Sequence, residues 1–253
     1  MKKYVFLNWK CNPLDWKGVL SLMSPLKQNA FLNKHQVVIC APFVFLENIK
    51  KDFKVETCGQ NCFWVSGAGP YTGEISPLML RGVGCSYVLV GHSERKRLFN
   101  ETEKIITEKL KAALKAGLKP LLFFGETKKD SDKEMISRLD SVLKSIDKKD
   151  LQKILFVYEP VFAISTQGGK ILPITRIKEK LILIRDFLKK KYASSAPCII
   201  YGGSVNDVNL KQYLDQKEIN GVVIGQASLS PAKMEKALMV GKDHGFIFRK
   251  RFL

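Results

Sequence analysis

The chain has 253 residues, is 45% hydrophobic, and carries 42 basic against 24 acidic side chains, a formal charge of +18. That length and apolar content suit one α/β barrel better than two ordinary domains; no linker or low-complexity segment interrupts it, so 1–253 reads as a single domain. The longest apolar run, Val37 to Leu46, is broken by Pro42, which argues against a membrane span, and Tyr4 to Leu7 behind Met1-Lys2-Lys3 is too short for a signal peptide.

Short apolar runs bounded by Gly, Pro or polar residues mark strands covered on both faces. In chain order they are Tyr4 to Trp9, Val37 to Ala41, Val55 to Gln60, Tyr87 to Val90, Leu121 to Phe124, Ile154 to Tyr158, Cys198 to Tyr201 and Val222 to Ile224. Helical stretches lie between them. Asn100 with Glu103 reads as a capping box, opening a helix that runs to Ala116 and stops at Gly117. Asp132 to Ile146 has a helical apolar stripe at Ile136, Leu139, Val142, Leu143 and Ile146. Thr175 to Tyr192 has another at Ile177, Leu181, Ile184 and Leu188. Strands alternating with helices imply right-handed crossovers and a closed eight-stranded parallel (β/α)8 barrel. An open doubly wound sheet is the alternative, disfavoured because no Gly-x-Gly-x-x-Gly turn follows the first strand.

A closed parallel barrel gathers its strand ends into one mouth, and four of these ends carry chemistry. Lys10 ends the first strand with Asn8 two residues before it, so strand alternation sends both to one side, a cation for phosphate and an amide for a polar oxygen. His92 stands where a short helix begins, and the partial positive charge there favours a neutral ring that can donate to a developing oxyanion. Glu159, between Tyr158 and Pro160, is a carboxylate among apolar groups and suits a general base; a loop ion pair or helix cap is the ordinary alternative. Tyr201-Gly202-Gly203-Ser204 and the later Gly225 offer close backbone approach for an anion after the last two strands.

The charge admits two readings. Lysine is scattered over nearly every helix face, and neither Lys189-Lys190-Lys191 nor Arg249-Lys250-Arg251 is interleaved with stacking aromatics. A solvated surface is therefore favoured over a nucleic-acid partner. The cysteines at 11, 40, 58, 62, 85 and 198 form no Cys-x-x-Cys pair, and only His35, His92 and His244 are available as histidine ligands. No metal site is expected, and reduced thiols fit a cytoplasmic protein.

With these residues in place the chain resembles the triosephosphate isomerase family. The similarity runs in order through Asn8-Trp9-Lys10, Gly59-Gln60-Asn61, Thr72-Gly73-Glu74, Gly91-His92-Ser93-Glu94-Arg95, Gly125-Glu126, Tyr158-Glu159-Pro160-Val161, Tyr201-Gly202-Gly203-Ser204-Val205, Gly225 and Ala227-Ser228-Leu229. The resemblance implies a TIM barrel and a cofactor-free interconversion of dihydroxyacetone phosphate and glyceraldehyde 3-phosphate in glycolysis and gluconeogenesis. It implies Glu159 as base, His92 as the group polarising the carbonyl, and Lys10 and Asn8 as charge stabilisers, with Glu94 beside Lys10. It places phosphate at Ser165, Ser204, Gly225 and Gln226, a lid over Pro160 to Lys170, and a homodimer in which Thr72 meets the partner's Asn8 and Glu74 the partner's Arg95.

The chain departs from the family pattern at Phe162 and Ser165, in the length of the lid around Gln167 to Gly169, and at Phe123, Val223 and Gln226. Another phosphorylated aldose–ketose isomerase, or a basic nucleic-acid-binding protein on a retained barrel, are the competing functions.

Overall fold

The computed structural model describes residues 2–27, 31–163, 171–193 and 196–239. Eight parallel strands close in chain order: β1 (Lys3–Asn8), β2 (His35–Ala41), β3 (Glu56–Gly59), β4 (Tyr87–Val90), β5 (Lys119–Phe124), β6 (Leu155–Tyr158), β7 (Cys198–Tyr201) and β8 (Gly221–Ile224). β1 pairs with β2 on one edge and with β8 on the other, which closes the ring. At least one helix follows every strand, among them Ser93–Phe99 and Glu103–Lys115 after β4, Asp132–Leu143 after β5 and Ile174–Tyr192 after β6. This is the TIM-barrel fold that the alternation of elements predicts. Among the described residues no helix is long and apolar enough to cross a membrane.

Strand alternation sorts the side chains into two cores. Phe6, Val38, Cys40, Cys58, Leu89, Leu121, Phe123, Val157, Ile200 and Val223 fill the interior of the barrel. Their neighbours Val5, Leu7, Ile39, Val88, Val90, Leu122, Phe156, Ile199 and Val222 pack outward on the helices. Because successive side chains point to opposite faces, strands buried on both faces must be apolar at nearly every position. The helix stripe at Ile177, Leu181, Ile184 and Leu188 is fully buried, as its spacing predicts. Ile136, expected on the neighbouring stripe, is only partly buried, and its helix ends at Leu143 rather than Ile146.

Two boundaries differ for a physical reason. β2 and β5 begin at polar residues, His35 and Lys119, because the ladder continues there in register with Lys3 and Tyr87. The capping box read at Asn100 is not present. Asn100 has φ +53 and ends the helix Ser93–Phe99, its backbone N–H donating to the Arg95 carbonyl. Thr102 caps the next helix, with Oγ1 accepting the Ile105 N–H. Asparagine suits both a cap and a left-handed terminus. A capping box does occur at Ser131 and Glu134.

Candidate active site

The residues singled out at strand ends meet at one end of the barrel. Asn8 and Glu159 continue the inward-facing parity of Phe6 and Val157, and both are buried. Lys10 reaches the site differently from the expected strand alternation. The strand stops at Asn8, and Lys10 takes a left-handed backbone with φ +54. Asn8 Oδ1 accepts the Lys10 N–H at 3.0 Å, and Gln60 Nε2 donates to the Lys10 and Cys40 carbonyls, both at 2.8 Å. These bonds offset the strain of a non-glycine residue in that region. Gln60 was visible only as a motif residue; a contact 50 positions away along the chain leaves no local pattern.

Lys10 Nζ lies 2.6 Å from Glu94 Oε1. Burial pushes the Glu94 carboxyl upward, but the hydrogen bond and charge of Lys10, together with His92, outweigh it and hold the group below the usual carboxylate range.

Gly91 has φ +75, a conformation that turns the chain sharply after β4 and opens the helix Ser93–Phe99 directly behind His92. His92 Nδ1 accepts the Glu94 N–H at 3.2 Å. That bond requires a lone pair on Nδ1, so the ring proton sits on Nε2. Nε2 lies 3.3 Å from Glu159 Oε1, and the Ser93 N–H donates to Glu159 Oε2 at 3.1 Å. An imidazole N–H and the base candidate therefore face each other at hydrogen-bond range. Phe123 packs against His92 with its ring tilted, centroids 4.9 Å apart and planes at 56°, while Val223 lies in the barrel interior.

Glu159 is pinned from behind by its own backbone: its N–H donates to the Phe124 carbonyl at 2.8 Å. A Cβ on Gly125 would come within 1.9 Å of the Glu159 carbonyl oxygen, so only glycine allows the loop after β5 to pass this close. After β8, at the same end of the barrel, Gly225 and the exposed Gln226 open a 3₁₀ turn, and a Cβ on Gly225 would lie 3.6 Å from Lys10 Cε. Ser204 Oγ donates to the Ala163 carbonyl at 2.7 Å. Ser165 and the remainder of the expected lid, 164–170, lie outside the described residues.

The matching family model, triosephosphate isomerase, covers residues 3–240. The chain belongs to the triosephosphate isomerase family. Among curated triosephosphate isomerases, that of Trichodesmium erythraeum is 38% identical over 240 residues, spanning 90% of this chain and 95% of the relative. That of Dictyoglomus thermophilum is 36% identical over 245 residues, with 91% and 96% covered. The fungal protein from Coprinopsis cinerea is 35% identical over 234 residues, with 88% and 92% covered. Membership in the triosephosphate isomerase family thus spans bacterial and fungal relatives and nearly the full barrel.

Proposed function

We propose that this chain interconverts dihydroxyacetone phosphate and D-glyceraldehyde 3-phosphate through an enediolate, the isomerase step of glycolysis and gluconeogenesis. The observation that carries the reading is the 3.3 Å approach of His92 Nε2 to Glu159 Oε1, with Glu94 bonded to the same histidine and Lys10 paired with Glu94. Glu159 gives up the Ser93 N–H and takes a proton from the carbon next to the substrate carbonyl. The electron pair moves onto the carbonyl oxygen, where the His92 Nε2–H and the Lys10 ammonium stabilise the charge. His92 gives its Nε2 proton to that oxygen and takes the proton of the neighbouring hydroxyl, and Glu159 returns its proton to the neighbouring carbon, which exchanges the positions of carbonyl and hydroxyl. A neutral imidazole suits this work because its acidity lies nearer that of the enediol than an imidazolium's does. Asn8 orients Lys10, and Ser204 together with the backbone at Ser165, Gly225 and Gln226 holds the phosphate. No cofactor or metal takes part in any of these steps.

The test is a coupled assay with glyceraldehyde 3-phosphate, wild type beside Glu159→Gln. Turnover by the wild type and its near-loss in the variant support the reading; equal rates sink it.

The same reading includes a cytoplasmic homodimer. Thr72, Gly73 and Glu74 form an exposed tip beside Trp64, Tyr71, Leu78 and Met79, all exposed apolar side chains. Burying such a patch against a second copy removes apolar area from water. Sedimentation should give twice the chain mass, and Met79→Lys should shift the protein toward monomer.

A further inference from the structure

Glu159 has a neighbour that the mechanism does not use. A cavity of about 270 Å³ lies against it, lined also by Ser93, Lys96, Glu103, Asp130 and Arg138. Arg138 is fully engaged: it donates to both oxygens of Asp130, at 2.8 and 3.2 Å, and to the Gly125 carbonyl at 3.1 Å. Lys96 is not. Its side chain has no hydrogen-bond or ion-pair partner among the described residues, although it stands on the same short helix as Ser93.

We propose that Lys96 is a positioning residue that acts across this cavity on Glu159, favouring the ionised carboxylate that a proton acceptor needs. The inference rests on Glu159 being the base. Its geometry is that of charge without contact. A direct ion pair would occupy the carboxylate lone pairs, whereas an ammonium across a small cavity favours the anion and leaves those lone pairs free. The charges around Lys96 agree: enclosure pushes its ammonium below the usual lysine value, while Glu103 and then Glu159 pull it upward. Attraction between two groups is reciprocal, so what favours the ammonium favours the carboxylate equally.

Other groups face Glu159 as well. His92 Nε2 and the Ser93 N–H hold its oxygens from the helix side, and Glu103 and Asp130 oppose ionisation from the cavity. Arg138 is neutralised locally by Asp130. Lys96 is thus the cation in this cavity whose charge is not already matched by a contacting carboxylate.

The Ser93 amide supplies the readout, because it donates directly to Glu159 Oε2. Its resonance should be followed against pH in the ¹⁵N-labelled full chain, with Glu159→Gln marking which part of the curve belongs to that carboxylate. In Lys96→Gln the midpoint should rise by about half a pH unit or more, and in Lys96→Arg it should stay near the wild-type value. The acid limb of kcat should move with it. Lys96→Met serves as the second variant should the glutamine protein fold poorly. A midpoint unmoved by both neutral variants, or moved equally by Lys96→Arg, overturns the proposal. A wild type that fails to isomerise glyceraldehyde 3-phosphate would instead overturn the function, since the Ser93 titration does not depend on turnover.

Discussion

Glu126 and Glu159 follow neighbouring strands, β5 and β6, and both are almost fully buried, yet the protein treats them in opposite ways. Glu126 is saturated. Its Oε1 accepts the Tyr158 hydroxyl at 3.0 Å and its Oε2 lies 2.6 Å from Lys180 Nζ, which also pairs with Asp132. Burial, then Glu126, raises the Tyr158 phenol far above its usual value, so it stays a donor. Glu159 has no cation in contact among the described residues, only a backbone N–H and an imidazole nitrogen. A charge matched by an ammonium is permanent, because protonating it would leave the partner buried and alone. A charge held by an amide and a neutral ring can accept a proton and give it back. Proximity to a strand end does not make a carboxylate a base; the absence of a contacting cation does.

The largest effect that would break this contrast is Glu159→Gln. The amide keeps the volume and loses the proton acceptor, so turnover should fall by about a hundredfold to ten-thousandfold. Thermal unfolding should move little, since no ion pair is lost. A variant that unfolds much earlier would mean that Glu159 is structural after all.

Lys180→Met should behave in reverse. It strands Glu126 without its ammonium, at a cost of about 3 kcal/mol in urea unfolding, the lower part of the range for breaking a buried pair, since Asp132 is half exposed. Adding Glu126→Gln should recover part of that loss, because a neutral amide no longer needs the cation. Isomerase turnover in the surviving folded protein should change far less than in Glu159→Gln. A double variant no more stable than Lys180→Met alone would show that packing, and not charge, sets the cost.

These two carboxylates also mark how far the sequence could be read. The strands were legible because short β-branched runs between Gly, Pro and polar residues have few other uses, and the interior and exterior cores follow from parity alone. Asn8, Lys10, His92 and Glu159 were legible because each ends such a run. Lys180 was not. It lies three residues from Ile177 on a buried helix edge, where composition alone suggests a solvated lysine, and its partners sit 54 and 48 positions away. Gln60 was hidden for the same reason, whereas Arg95 and Lys109 meet the buried Glu101 across only 6 and 8 positions, from the two helices on either side of it, a packing that local spacing does not show. Asn100 was misplaced because a residue suited to two helix-end roles cannot be assigned until the chain is seen to turn left-handed there.

The smallest test sharpens the contrast at its solvent edge. Asp130 pairs with Arg138 beside the cavity behind Glu159, and its side-chain hydrogen bond to Arg138, followed by the Thr127 N–H, lowers its carboxyl to about 2 from the usual 3.8. The folded value lies below the unfolded one, so the contribution is complete above about 4 and is lost as pH falls toward 2. Water reaches this loop and screens the pair, which limits the effect to about 1 kcal/mol or less. Asp130→Asn should therefore lower stability slightly at neutral pH and flatten the acid end of the stability curve, as read by urea midpoints between pH 5 and pH 2. It should also free the Arg138 guanidinium to act on Glu159, because the two share one cavity. The Ser93 titration would then shift in the direction opposite to Lys96→Gln, toward lower pH. Were it to stay in place, contact with Asp130 would not be what silences Arg138, and distance would have to account for it.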